Sequence, residues 1–293
     1  MTSAERARPR LPLRPGVAFM VASALAFSGM GVLVKLLGTR LPSQEVVLAR
    51  ALISLLLSAF FVRRAGLSIW GEQRGLLWLR GLFGYAGLSC VFYALSHLPL
   101  ADATVIQYLH PIFTAGLAAT VLGEAVGGGL ALGVGLCVGG VLLVVRPAFL
   151  LGLSREGLDP FACGVALAGA FFSACAYVVV RRLARREHPL VIVFYFPLVA
   201  VPMSLPGVVG RGVMPRGIEW GLLLGVGLLA QLGQVALTRG FQHEQAARAT
   251  ALSYLQVAFA AGWGALFFHE IPDLWSVGGA LLILLGSFVA GRL

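Results

Sequence analysis

The chain has 293 residues, of which 59% are hydrophobic and 12% charged, with a net charge of +10, an isoelectric point near 10.3 and a mean hydropathy of +0.91. Soluble domains carry about a quarter charged residues, so this composition excludes an ordinary soluble enzyme and calls for lipid as solvent. The basic excess does not read as a nucleic-acid surface, because the arginines are bunched between apolar runs.

Residues 1–15 are basic and rich in Pro and Arg, and read as a retained cytosolic tail rather than a cleaved leader. A helix needs roughly 20 apolar residues to cross the hydrocarbon core. Breaking the chain at its Pro, Gly and Arg clusters predicts spans at 16–37, 44–62, 76–96, 101–122 and 127–145, a linker at 147–159, then spans at 160–181, 189–208, 218–238, 247–268 and 273–291. Cys90, Cys137, Cys163 and Cys175 all fall inside these runs, where a thiol behaves as a small hydrophobe, and no disulfide or zinc spacing is present.

A constant shift of 146 residues aligns the first half with the second. It pairs Leu76 with Leu222, Gly87 with Gly233, Thr104 with Thr250, Tyr108 with Tyr254, Phe113 with Phe259, Gly133 with Gly279, Gly140 with Gly286 and Arg146 with Arg292. Five spans per half is an odd number, so the second half enters the membrane from the opposite side. The predicted fold is an all-α polytopic membrane protein, ten transmembrane helices as a 5+5 inverted repeat, with repeats at 16–146 and 160–293. Placing the amino terminus in the cytosol puts 14 of the 22 basic residues inside and 5 outside, which predicts cytosolic termini in a bacterial inner membrane. The other three, Lys35, Arg50 and Arg80, lie within apolar runs.

The stretch ALSHLPLADATVIQYLHPIFTAGLAATVLGE at 94–124, with Lys35 ending the first span and Arg50 in the second, resembles the EamA domain of the drug/metabolite transporter superfamily. A matching stretch, LTRGFQHEQAARATALSYLQVAFAAGWGALFFHE, stands at 237–270. The resemblance covers nearly the whole chain and implies a secondary transporter; it is weak for substrate, since the superfamily handles amino acids, purines, sugar derivatives and toxic organic compounds. The second half departs from the pattern, with Val257 opposite Pro111 and Phe196 opposite Arg50.

Charge inside a membrane is costly, so ionisable groups there are candidate sites. Lys35 either snorkels or lines a cavity mouth. Arg50 lies deep in the second span, five residues after Glu45, and forms either a gating ion pair or a substrate contact. Arg80, near the cytosolic end of the third span, reads as an interfacial anchor. Gln107, His110 and Thr114 share one helical face near the middle of the fourth span, the depth at which inverted-repeat transporters bind solute, and their partners in the second half include Ser253 and Gln256. The third span offers Tyr85, Ser89 and Tyr93, and the eighth Gln231 and Gln234. The bland alternative is that these groups only tie helices together.

Tyr108 and Tyr254 read as facing aromatic gates or as packing, and Tyr177 as a weaker cavity candidate. Pro111, beside His110, predicts a kink. Glu124 and Glu270 read as helix caps, and the glycine-rich fifth and tenth spans as packing braces or a homodimer surface. His110 and Asp102 are candidates for proton coupling. No metal set, nucleophile with its base, or phosphate loop is present, so neither a cofactor nor an enzymatic reaction is expected. The expected partners are a small solute and lipid, with no nucleic acid. Because the fixed cations outnumber the acids within the bundle, the expected substrate is an amino acid or carboxylate moved by alternating access about a site formed by spans 1, 3, 4, 6, 8 and 9. A multidrug or organic-cation exporter of the same fold and a non-transporting sensor or partner protein are the alternatives.

Overall fold

A computed structural model describes residues 14–37, 40–98, 100–146, 159–209, 212–269 and 273–292. Its helices are α1 (Pro15–Leu37), α2 (Ser43–Arg64), α3 (Arg74–His97), α4 (Leu100–Gln107), α5 (His110–Val121), α6 (Gly128–Val145), α7 (Pro160–Leu183), α8 (Pro189–Val208), α9 (Ile218–His243), α10 (Ala246–Ser253), α11 (Leu255–Phe268) and α12 (Leu274–Arg292). Among the described residues nine segments are long and apolar enough to cross a membrane, counting Ala246–Phe268 as one. The remaining crossing is the broken pair α4 and α5, which gives ten. The outward faces carry large apolar side chains such as Leu56, Phe60, Leu132, Phe267 and Leu281, as lipid contact demands. Glu270 lies outside the described residues.

The pairing of helices follows the repeat. α1 packs on α9 and α3 on α7, which are exchanged with one another by the 146-residue shift, while α2 packs on α8 and α6 on α12, each its own repeat partner. A residue can touch its own repeat equivalent only on the pseudo-twofold axis. Three such contacts mark that axis: the Arg50 guanidinium lies 5.7 Å from the centre of the Phe196 ring, the Tyr254 hydroxyl donates to the Tyr108 carbonyl at 2.7 Å, and the Cys137 thiol lies 3.6 Å from the Ile283 carbonyl. An inverted repeat is the arrangement that produces this pattern.

The fourth and ninth crossings break at the same place, Tyr108–Leu109 and Tyr254. Both breaks tighten to i→i−3 bonds, from Leu109 to Ile106 and Ile112 to Leu109 in one, and from Tyr254 to Ala251 and Val257 to Tyr254 in the other. Pro111 therefore does not account for the break, since Val257 occupies its place in the second half. The carbonyl freed at Tyr108 is satisfied across the axis by the Tyr254 hydroxyl, with the two rings stacked 5.8 Å apart. Tyr254→Phe leaves that carbonyl unpaired and is expected to cost about 1 kcal/mol, read as a lower thermal midpoint of the purified protein.

The glycine stripes brace α6 against α12. A Cβ at Gly140 would fall 2.6 Å from the Gly279 carbonyl oxygen, and one at Gly286 2.6 Å from that of Gly133, so these backbones meet with no room for a side chain. Gly140→Val is expected to destabilise the protein by about 1–3 kcal/mol through overpacking, measured by thermal denaturation in detergent. Gly135, Gly139 and Gly278 face open space instead.

Helices α1 and α12 begin and end on one face, here the terminal face. There Glu187 accepts from the backbone N–H groups of Glu72 and Gln73 at 2.6 and 2.5 Å, capping α3 from the other half. On the opposite face Arg146 pairs with Asp273. The Ser276 N–H, with help from Arg146, holds the Asp273 carboxyl below the usual carboxylate range.

Candidate functional site

A cavity of about 710 Å³ opens on the face opposite the termini. Its walls are the first turns of α2, the second half of α3 and the last turns of α8. On α3, Tyr85, Leu88, Ser89, Phe92, Tyr93 and Ser96 recur at i, i+3, i+4, i+7, i+8 and i+11, so one stripe of the helix lines it. On α2, Gln44 and Val47 share a face, and Glu45 stands at the rim with its carboxylate accepting from the Val213 N–H at 2.8 Å. The third wall, α8, carries Pro197, Pro202 and Pro206, each of which removes a helical hydrogen bond. The Tyr85 hydroxyl donates to the Met203 carbonyl there at 2.9 Å.

Beyond the cavity, toward the centre of the bundle, stand two arginines. Arg50 is one turn beyond Val47 on α2. Arg80 reaches along α3 to Gly84, where a Cβ would collide with its guanidinium. Both cations face the Phe196 ring of α8, at 5.7 and 5.3 Å from its centre. Arg80 also donates to the Gln234 side-chain carbonyl of α9 at 3.1 Å. Neither arginine has a carboxylate partner among the described residues. Arg80 is only 4% exposed, which corrects the expectation of an interfacial anchor: its side chain turns inward across the bundle. Glu45 does not pair with Arg50, because its carboxylate is committed to the 213 loop.

The repeat image of this cavity is closed. Tyr85 and Ser204 line the open side; their equivalents are Gln231 and Ser58, and there Gln231 donates to the Ser58 hydroxyl at 2.8 Å, with Ser58 fully buried. The cavity is thus open on one side of the repeat axis and sealed at its mirror position. What remains toward the terminal face is a pocket of about 40 Å³, room for a water or two. It is lined by Met20, Ser23 and Phe27 of α1 together with Tyr108, His110, Tyr177, Ser253 and Gln256. His110 meets the Tyr177 ring edge-on at 5.3 Å, and its Nδ1 has no hydrogen-bond partner among the described residues.

The terminal face is fastened by Glu124. Its carboxylate pairs with Arg181 of α7 at 2.7 Å and accepts from the Ala246 N–H, the first residue of α10, also at 2.7 Å. Arg181 in turn donates to the Phe241 carbonyl at 2.7 Å and to that of Gln242 at 3.3 Å, at the end of α9. Glu124 is a cap, as expected, but the helix it caps belongs to the other half.

The predicted residues therefore fall into groups. Tyr85, Ser89 and Tyr93 line the large cavity, with Arg50, Arg80 and Gln234 beyond it. Tyr108, His110, Tyr177, Ser253 and Gln256 surround the small pocket, and Tyr254 is buried at the break of the ninth crossing. Gln231 seals the closed side, and Gln107 contacts Ser173 of α7 at 3.4 Å. Lys35 sits apart, 4.1 Å from the centre of the Phe268 ring. The expected set of lining spans omitted α2 and α8, the second and seventh, which form two of the three cavity walls. The prolines of α8 were the available signal. Phe196, the repeat equivalent of Arg50, is the ring that both arginines face.

Two repeats of opposite orientation, broken helices at mid-depth and a cavity open to one side define a membrane carrier. The chain belongs to the EamA-like transporter family, whose profile matches residues 14–146 and again 160–292; this is a family of transporters in the drug/metabolite superfamily, not of enzymes. The chain is a multi-pass integral membrane protein. It is 37% identical over 281 residues to the pseudopaline exporter CntI of Pseudomonas aeruginosa, covering 96% of this chain and 97% of that one. Human solute carrier family 35 member G1 is 29% identical, with 92% and 76% covered, and an S-adenosylmethionine uptake transporter of Rickettsia bellii is 27% identical, with 92% and 90% covered. A crystal structure shares the fold with a TM-score of 0.81 at 20% identity, covering 94% of this chain and 96% of its own.

Proposed function

We propose that the chain exports a small organic anion of the amino-acid or carboxylate class across a bacterial inner membrane by alternating access. The observation that carries this reading is the pair Arg50 and Arg80, two cations inside the bundle that face one aromatic ring and have no carboxylate partner among the described residues. A substrate carboxylate supplies the missing charge, and guanidinium groups suit it by their fork of donors. The excess of basic residues in the segments assigned to the terminal side supports a cytosolic terminal face and an outward-open 710 Å³ cavity. The units 16–146 and 160–293 rock about the Tyr108/Tyr254 contact, so that the sealed Gln231–Ser58 side opens as the cavity closes. The CntI relative, named as an exporter, supports the direction. No nucleotide-binding motif is present in the sequence, and a solute or proton gradient drives the cycle.

A second reading, an organic-cation exporter, draws on the aromatic wall of Tyr85, Phe92 and Tyr93 and on Glu45 at the rim. Counterflow in proteoliposomes separates the two. Exchange of amino acids, dicarboxylates or related anions is the expected result; exchange confined to quaternary ammonium compounds overturns the anionic reading. Silence across the panel by folded protein favours a sensor or partner role.

A further inference from the structure

We infer that the substrate is an extended zwitterion, held with its carboxylate end toward Arg50 and Arg80 and its ammonium end at Glu45, so that Glu45 sets specificity. This rests on the anionic site proposed above and adds a second, opposite pole to it. Glu45 is the one acidic residue lining the cavity among the described residues. Its carboxylate spends one oxygen on the Val213 N–H, and the other takes no hydrogen bond among the described residues. Glu45 and Arg50 are five residues apart on α2, about 7.5 Å along the helix axis. A free α-amino acid, whose charges sit on adjacent atoms of one carbon, does not reach both poles. A molecule with an amine and a carboxylate at opposite ends does, and a cavity of about 710 Å³ has room for one. Between the poles, Tyr85, Ser89, Phe92 and Tyr93 offer aromatic faces and hydroxyls to an uncharged middle. The acid at the cavity mouth and the two arginines beyond its inner end thereby belong to one ligand.

Triglycine, N-acetyltriglycine and triglycine amide share one backbone and carry both charges, the carboxylate alone and the ammonium alone. Calorimetric titration of each into purified protein is expected to rank triglycine at least about tenfold tighter than N-acetyltriglycine, with the amide weakest. Glu45→Gln keeps an acceptor for Val213 and is expected to erase the preference without weakening N-acetyltriglycine binding, which also certifies the fold. Equal binding of triglycine and N-acetyltriglycine by the native protein, or an undiminished preference in Glu45→Gln, overturns the two-pole inference and leaves the anionic site standing. Binding of triglycine amide in preference to N-acetyltriglycine overturns the anionic site itself.

Discussion

Arg80→Met is expected to weaken transport sharply while leaving the thermal midpoint close to that of the native protein. Arg80 is 4% exposed, and among the described residues its Nε has no hydrogen-bond partner and its one hydrogen bond goes to a neutral amide. Exchanging a buried, uncompensated charge for an apolar chain of similar length removes a desolvation penalty and costs one hydrogen bond to Gln234, so the net effect on stability is small. Transport responds differently. Hydrogen bonds to charged groups contribute about 1.5–3 kcal/mol, so losing one arginine from a carboxylate site reduces binding about 10- to 100-fold. Arg50→Gln is expected to act in the same way. Counterflow rates and thermal midpoints measured on the same preparations provide the check. A large loss of stability with transport retained would identify both arginines as structural and remove the basis for an anionic substrate.

Glu124→Ala has the opposite signature, a large loss of stability. The carboxylate satisfies Arg181, itself mostly buried, and the leading N–H of α10. Breaking a buried pair from one side leaves an uncompensated charge and costs about 3–5 kcal/mol. Because these contacts hold α5, α7, α9 and α10 together at the terminal face, their loss also favours opening on that side. The expected result is a lowered midpoint together with faster labelling of a cysteine placed at Gln256, in the small pocket, by a reagent supplied from the terminal face. Glu124→Gln, which retains an acceptor for Ala246, is expected to lose less stability. Unchanged labelling in both variants would reduce Glu124 to a local cap.

The sequence disclosed the scaffold because its physics is one-dimensional. Apolar run length gives the spans, and an odd number of them per half forces inversion. The site was only partly legible. Tyr85, Ser89 and Tyr93 were found because helical spacing gathers them on one stripe of α3. Arg80 was misplaced because its distance from the start of the span fixes its depth but not its rotamer, and the side chain turns across to Gln234 and Phe196. The walls formed by α2 and α8 were missed because apolar residues dominate both helices and carry no polar stripe. Pairings between helices, such as Glu124 with Arg181 or Gln231 with Ser58, join residues far apart in the chain, and no local pattern announces them.

The three contacts between repeat equivalents carry a consequence for mutational scanning. If the outward- and inward-facing forms exchange the roles of the two halves, a contact between a residue and its own equivalent joins the same pair in both, with donor and acceptor changing places. Substitutions that alter only the shared packing of such a pair, as between the stacked Tyr108 and Tyr254 rings, then raise or lower both forms together and leave the ratio of their populations where it was. Positions away from the axis, whose equivalents sit in different surroundings, tilt that ratio. A map of which variants alter the balance of states and which alter only overall stability would therefore trace the fulcrum of the carrier residue by residue.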